Sequence, residues 1–507
     1  MAFKFEFGSR RFIRDGPRPE DITVFFSDVL STDSFLQINA ADNIVKWLQN
    51  ADPMLINDAL DLLVTRGVVK KFVEFFRSDD VNLQDKASIV FGFLACGDTR
   101  HATIAYNSGI VPACIERLSS PDPEVRVKSA WILGNLAADD VECADALVGL
   151  GVLNIMVEQT SVMIGTNEMQ TYITYATMLL WAINHFLKSA QDLPTALVLR
   201  IQELLCTIIM SNVEDTILEE CCFGLATILQ INSEAGALFG NDKICGRLVR
   251  LLERGSNVNI QKAALQLVGA LTAKSEEHTT RLLNNNLLSA LSDLVEHQLG
   301  EDACWVISNI IAESVEHLNL IVYHPKILPT VVRLLKVDAS GFDEDEFGGR
   351  SRESCAILAN IINKGQVEAI RHTVALGGLS GLCVALRYSI ESDILVLILD
   401  ALWKLILFGE HDPIEIDGAP VNLYLKLFES SGGFEGLARL ENRKDRPVAE
   451  AAQQMLALID EIMNPPMTVD NEAEMTEDTP ANGYPPIASH GGPEDSKGEE
   501  PNQGGVT

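Results

Sequence analysis

Basic residues are scarce in this chain. Lys and Arg number 39 against 71 Asp and Glu, a formal charge of -32 over 507 residues. A field of that sign disfavours nucleic acid and anionic membranes as partners and draws in basic ones. No stretch approaches eighteen uninterrupted apolar residues, and the opening MAFKFEFGSRR lacks an apolar run, so neither secretion nor membrane spanning is expected. The ten Cys show neither metal spacing nor a compact disulfide framework. They fall singly in apolar runs, as at Cys206, Cys304 and Cys355, apart from the pair Cys221 and Cys222, and read as buried thiols of a reducing compartment. The nine His are dispersed without an HExxH arrangement. A Gly-rich phosphate loop, a GxSxG and any His/Cys/Asp group with catalytic spacing are also missing. Neither a metal, a cofactor nor an enzymatic reaction is therefore expected.

What is present is a repeated unit. TRGVVKKFVEFFRS from Thr65, NSGIVPACIERLSS from Asn107 and GLGVLNIMVEQT from Gly149 share a turn followed by a helix, and Gly67, Gly109 and Gly151 lie 42 residues apart twice in succession. That period is too long for ankyrin or tetratricopeptide units and fits armadillo/HEAT repeats of two or three helices. Each unit reads as a Gly turn, an amphipathic helix, an Asp/Pro/Ser loop and a second, more apolar helix. In SSPDPEVRVKSAWILGNLAA, from Ser119, Asp122 or Pro123 stands where a cap or a prolyl first turn starts that second helix. Further units open near Lys243, Asn285, Lys326, Gly377 and Ser431, so about nine or ten fit in the repeat region. The architecture expected is an all-α solenoid whose extended concave surface is lined by the last helix of each repeat. Two acidic insertions interrupt it, KVDASGFDEDEFGGRSRE at 336–353 and HDPIEIDGAP at 411–420, both expected as loops. Residues 1–20 read as a short, weakly basic arm, 21–463 as the repeats, and 464–507 as an acidic, Pro/Gly-rich tail whose composition predicts disorder.

Within SAWILGNLAADD, Trp131, Asn135 and Asp139 follow one another at four-residue spacing and share a helix face. The pattern recurs unevenly. ACWVISNI carries Trp305 and Asn309 with Asp302 ahead of them, and ATMLLWAINHF carries Trp181 and His185 with Asn184 alongside. SCAILANI keeps Asn360 behind Ala356, with Glu353 upstream, and CCFGLATI has Phe223 and Thr227 preceded by Glu220. Indoles one repeat apart form slots for the aliphatic stem and the cation of Lys or Arg. Interleaved Asn amides can bond the N–H and C=O of an extended peptide, and carboxylates at the slot ends pair with ammonium or guanidinium groups. The alternative is that these are large core side chains and interhelical hydrogen-bonding residues, the reading preferred for Trp47 and Trp403.

With WxxxN on repeated last helices, written SAWILGNLA and ACWVISNI, the stretch from about residue 50 to residue 463 resembles importin-alpha, the adaptor family for nuclear localisation signals. The resemblance implies a right-handed armadillo-repeat superhelical solenoid, found in cytoplasm and nucleus, that takes Lys/Arg-rich signal peptides at a larger N-terminal site and a smaller C-terminal one. It assigns Trp131, Asn135, Asp139, Trp181, His185 and Glu220 to the larger site, and Asp302, Trp305, Asn309, Glu353 and Asn360 to the smaller. Departures from the pattern fall mostly on the larger site. SIVFGFLA puts Ile89 and Phe93 where a first Trp/Asn pair belongs, His185 replaces an Asn, and Lys128 stands where a neutral amide flanks the groove. In the smaller site Ala356 replaces a Trp. Importin-beta and an export receptor are further partners the resemblance implies. Family members begin with a long basic segment that binds importin-beta and folds back over the groove. Here only Lys4, Arg10, Arg11, Arg14 and Arg18 precede Glu20, so the arm is a reduced version or that recruitment is lost. The competing reading is an armadillo scaffold unrelated to nuclear transport.

Overall fold

The computed structural model describes residues 19–464, except 53, 139, 233–238, 240, 254, 336–348, 390 and 417. Helices come in groups of two or three. α1 (Pro19–Val29) and α2 (Ser34–Gln49) open the series. Then follow α3 (Ile56–Thr65), α4 (Val69–Arg77) and α5 (Val81–Ala95), and α6 (Thr99–Ala105), α7 (Val111–Arg117) and α8 (Pro123–Ala138). α9 (Val141–Gly149), α10 (Val152–Gly165) and α11 (Ile173–Ser189) complete the N-terminal groups. Two pairs occupy the middle: α12 (Thr195–Ile209) with α13 (Asp215–Ile231), and α14 (Asp242–Leu251) with α15 (Val258–Thr272). Triplets resume with α16 (Glu276–Asn284), α17 (Leu287–Leu294) and α18 (Gly300–Glu313), then α19 (Val315–Val322), α20 (Ile327–Leu335) and α21 (Gly349–Lys364). The last groups are α22 (Val367–Ala375), α23 (Gly378–Tyr388) and α24 (Ser392–His411), and α25 (Leu423–Ser430), α26 (Gly433–Leu440) and α27 (Arg446–Met463). The described residues up to Leu458 form one compact unit, and Ile459 begins a second.

The turn glycines behave as their spacing requires. Gly67, Gly109 and Gly151 have φ of 72°, 98° and 77°, and Asn286 takes the same left-handed conformation at 70° in the equivalent turn before α17. Glycine meets no steric penalty there, and Asn tolerates that region better than most residues. The last helices are started by short side chains. The Asp80 carboxylate accepts from the Asn82 and Leu83 N–H groups at the head of α5, and Asp122 Oδ1 accepts from Glu124 N at 2.9 Å in front of Pro123.

The last helices α2, α5, α8, α11, α13, α15, α18, α21 and α24 pack each against the next in an unbroken series. Being flanked on both sides, they are apolar around most of their circumference rather than along one stripe. Phe91, Leu133, Leu180, Leu225, Leu267, Ile307, Leu358 and Leu402 are all completely buried along this series, and burial of each such side chain is worth roughly 1.5–3 kcal/mol.

Three expectations need correction. The insertion at 411–420 is no simple loop: Ile414–Ile416 (β1) and Ala419–Val421 (β2) pair antiparallel around Gly418, a small hairpin in an otherwise helical stack. Alternating Ile414, Glu415, Ile416 and the turn-forming Gly418 supply its local signal. In the insertion at 336–353, residues from Gly349 onward are already helix α21, and 336–348 lie outside the described residues. Among the thiols Cys96 is exposed, because it caps α5 beyond the last packed turn, while the other nine are buried. The arm up to residue 18, the tail from residue 465, and Asp139 also lie outside the described residues.

Candidate functional site

All the described candidate residues stand on last helices. Trp131 and Asn135 are on α8, Trp181 and His185 on α11, and Glu220 on α13, three helices packed in sequence. Asp302, Trp305 and Asn309 are on α18, beside Glu353 and Asn360 on α21.

Each Trp is held in the same way. The six-membered ring of Trp131 rests on Gly92 of α5, that of Trp181 on Gly134 of α8, and that of Trp305 on Gly269 of α15. A methyl group at any of these glycines would overlap the indole. Glycine inside a helix costs about 1 kcal/mol relative to Ala. Here it is tolerated because only a missing Cβ lets the ring reach the neighbouring backbone. Trp131 and Trp305 stay partly exposed, whereas Trp181 is buried and has His185 edge-on to it with centroids 4.4 Å apart.

The amides differ more than the indoles. Asn309 Nδ2 donates to the Gly269 carbonyl at 3.2 Å, and Asn360 Nδ2 to Ser308 Oγ at 3.4 Å. Asn135 is 7% exposed, and its Nδ2 has no hydrogen-bond partner among the described residues. Asn184, one position before His185, donates to the backbone oxygen and Oε2 of Glu220 at 2.9 and 2.8 Å. Glu220 is itself buried, and burial pushes its carboxyl up to about 7 against the opposing Asn184 bond. It is a packed internal group here.

Charge divides the series in two. Three residues before the Trp position, α5 and α8 carry Lys86 and Lys128, while α18 and α21 carry Asp302 and Glu353. The lysines belong to a chain of ion pairs across α2, α5 and α8. Lys46 Nζ lies 2.6 Å from Asp42 Oδ2, Lys86 Nζ 3.1 Å from Asp42 Oδ1 and 3.7 Å from Asp85 Oδ2, and Lys128 Nζ 3.0 Å from Asp85 Oδ1. Burial alone would raise the Asp42 pKa, yet its two lysine partners hold it below the ordinary value. Around α21 the balance is inverted, with Arg352 bound to Glu353 at 2.7 Å, Glu391 at 2.6 Å and Asp393 at 2.8 Å. Glu353 is 9% exposed, and burial raises its pKa although Arg352 opposes the rise.

Comparison with known proteins fits this frame. Residues 101–138, which include Trp131 and Asn135, match the Armadillo/beta-catenin-like repeat. Importin subunit alpha-8 of Arabidopsis thaliana is 24% identical over 49% of this chain and 54% of its own length. Importin subunit alpha-4 of the same plant is 26% identical over 87% of this chain and 78% of its own length. The chain is an armadillo-repeat solenoid distantly related to importin alpha subunits. A crystal structure of an engineered protein, 21% identical, aligns over 87% of this chain and 99% of its own with a TM-score of 0.63, a likeness of fold. The match to the alpha-8 subunit spans about half the length of that relative.

Sequence reasoning passed over the three seat glycines, the Asn184–Glu220 bond and the carboxylate partner of Lys128. A signal for the first existed. VFGFL, ILGNL and LVGAL repeat a Gly within a helical apolar run at one register, and an interior helix Gly asks for a packing reason. Among the described residues no three His, Cys, Asp or Glu side chains are grouped to hold a metal ion, and no single helix is long and apolar enough to cross a membrane.

Proposed function

We propose that the last-helix face binds Lys/Arg-rich extended peptides, and that the protein is an adaptor for cargo carrying nuclear localisation signals, moving between cytoplasm and nucleus. The observation that carries this reading is a recurring arrangement: an indole held edge-down on the glycine of the preceding last helix and partly exposed, with an Asn four residues further on, at Trp131/Asn135 and at Trp305/Asn309. A rigid, part-exposed indole offers its solvent-facing part to the stem and cation of a Lys or Arg. Asp302 beside Trp305 supplies a carboxylate. The distant likeness to importin alpha subunits supports the same ligand class.

Isothermal titration of the purified protein with a KKKRK-type peptide tests the proposal. Saturable heat is expected, weakened but not abolished by added salt, because surface attraction is screened while stems lodged against indoles are less affected. Heat indistinguishable from that of a charge-reversed peptide would remove the basic-peptide reading.

A further inference from the structure

The ion-pair chain across α2, α5 and α8 sets three lysines against two carboxylates. Lys46, Lys86 and Lys128 share Asp42 and Asp85, whereas around α21 one arginine meets three carboxylates. The protein as a whole carries -32, so an excess of positive charge at this place runs against the prevailing field. Lys128 lies three residues before Trp131, on the same helix face, and its side chain is still 18% exposed, that of Lys86 23%. A peptide lysine laid along α5 and α8 would meet two ammonium groups at the register where α18 and α21 offer Asp302 and Glu353. A peptide Asp or Glu there could take the place of Asp42 or Asp85, both of which remain partly exposed. The exchange keeps each lysine paired while the released carboxylate gains water.

We propose that the preferred ligand is a peptide of divided charge, with its Lys/Arg cluster over α18 and α21 and an Asp/Glu segment over α5 and α8. This rests on the reading of the last-helix face as a peptide site, keeps the Lys/Arg slot at Trp305 and gives the Trp131 end the opposite sign. From α8 to α18 there are four helix-to-helix steps. At roughly 8–10 Å each, these need an extended linker of roughly 10–12 residues.

The test uses three labelled peptides that share one Lys/Arg cluster and one twelve-residue Gly/Ser linker, ending in an acidic, a Gly/Ser or a basic segment. Fluorescence anisotropy with the full chain should show the acidic-ended peptide binding at least about fivefold tighter than the Gly/Ser-ended one, and the basic-ended one no tighter. The double variant Lys86→Glu/Lys128→Glu should reverse the order. Self-pairing within a divided peptide is the same for either protein, so the ratio of wild type to variant isolates the lysines. Lys128→Gln, which removes one charge without adding a carboxylate, should shift the ratio in the same direction and covers the case in which the double variant does not fold. Equal affinity for all three peptides, or tightest binding of the basic-ended one to wild type, overturns divided charge while leaving a basic-peptide site standing. Failure of every peptide to bind overturns both readings.

Discussion

The last helices of the first repeats and those of the later repeats share a packing plan and differ in charge. α8 and α18 each hold a Trp on a glycine of the preceding last helix, yet three residues upstream one presents Lys128 and the other Asp302. Packing positions are constrained by volume to within a methyl group. A position on the rim of the same helix is constrained only by what lies opposite it. The indole seats can therefore persist while the charge around them inverts, provided partners such as Asp85 and Arg352 change with it.

Between the two regions lies α13, whose residue at this register is Glu220. This boundary carries less negative charge near neutral pH than its sequence suggests, because burial, which outweighs the Asn184 bond, holds back the ionisation of Glu220. Its folded pKa, pushed up to about 7 by burial, lies above the unfolded value. The folded state thus holds the proton more tightly than the unfolded one. The stability this contributes is complete below about pH 4.3, the unfolded carboxyl value, and is lost as pH rises through the folded pKa. Glu220→Gln should stabilise the protein by on the order of 3 kcal/mol at pH 9 relative to wild type and change little at pH 4. Urea unfolding at the two pH values measures it. An equal effect at both would mean that the carboxylate is solvated and that a negative charge sits between the two regions.

The next largest effect tests whether the seats are equivalent. Gly92→Ala and Gly269→Ala each put a methyl group into an indole, and overpacking should cost about 2 kcal/mol net in either region. In a Trp305→Ala background the clash disappears, and Gly269→Ala should then stabilise by about 1 kcal/mol through helix propensity. Thermal unfolding of the four proteins in that cycle gives the sign. A destabilising Gly269→Ala in both backgrounds would show that the glycine serves something other than the indole.

How much of this was legible depended on how local its cause was. Gly67, Gly109 and Gly151 announced the turns because a left-handed backbone selects glycine regardless of what packs nearby. Trp131 and Trp305 announced a common face through helical spacing alone. Lys128 was noticed as a departure, but its partner Asp85 lies a whole repeat away, and nothing in the local pattern says whether such a lysine is neutralised. Glu220 shows the same limit. Its sequence neighbours mark it as one more acidic rim residue, and only the packing of α11 onto α13 buries it under Asn184. The hairpin at 414–421 was missed because six strand residues give a weak signal inside a 42-residue helical rhythm.

The smallest expected effect separates the two regions most cleanly. Asn135 and Asn309 occupy one register, but Asn309 has given a donor to the Gly269 carbonyl while the Asn135 Nδ2 is buried without a partner among the described residues. A buried donor left unmade costs about 1–3 kcal/mol, and a made neutral hydrogen bond contributes about 0.5–1.5 kcal/mol. Leucine is close to asparagine in shape and brings no donor. Asn135→Leu should therefore raise stability by about 1 kcal/mol in the absence of ligand, and Asn309→Leu should lower it by about 0.5–1 kcal/mol, since one made hydrogen bond is lost while the Gly269 carbonyl keeps Ala273 N and Thr272 Oγ1 at 3.0 Å. Peptide binding should respond the other way. An unspent donor gains most when a peptide carbonyl reaches it after a small turn of the side chain, so Asn135→Leu should weaken any peptide spanning α8 more than Asn309→Leu weakens one confined to α18 and α21. Chemical denaturation of both variants, with and without peptide, reads both quantities on one scale. If Asn135→Leu is destabilising without ligand, the amide is satisfied in solution, and the difference between the two regions comes down to their charge.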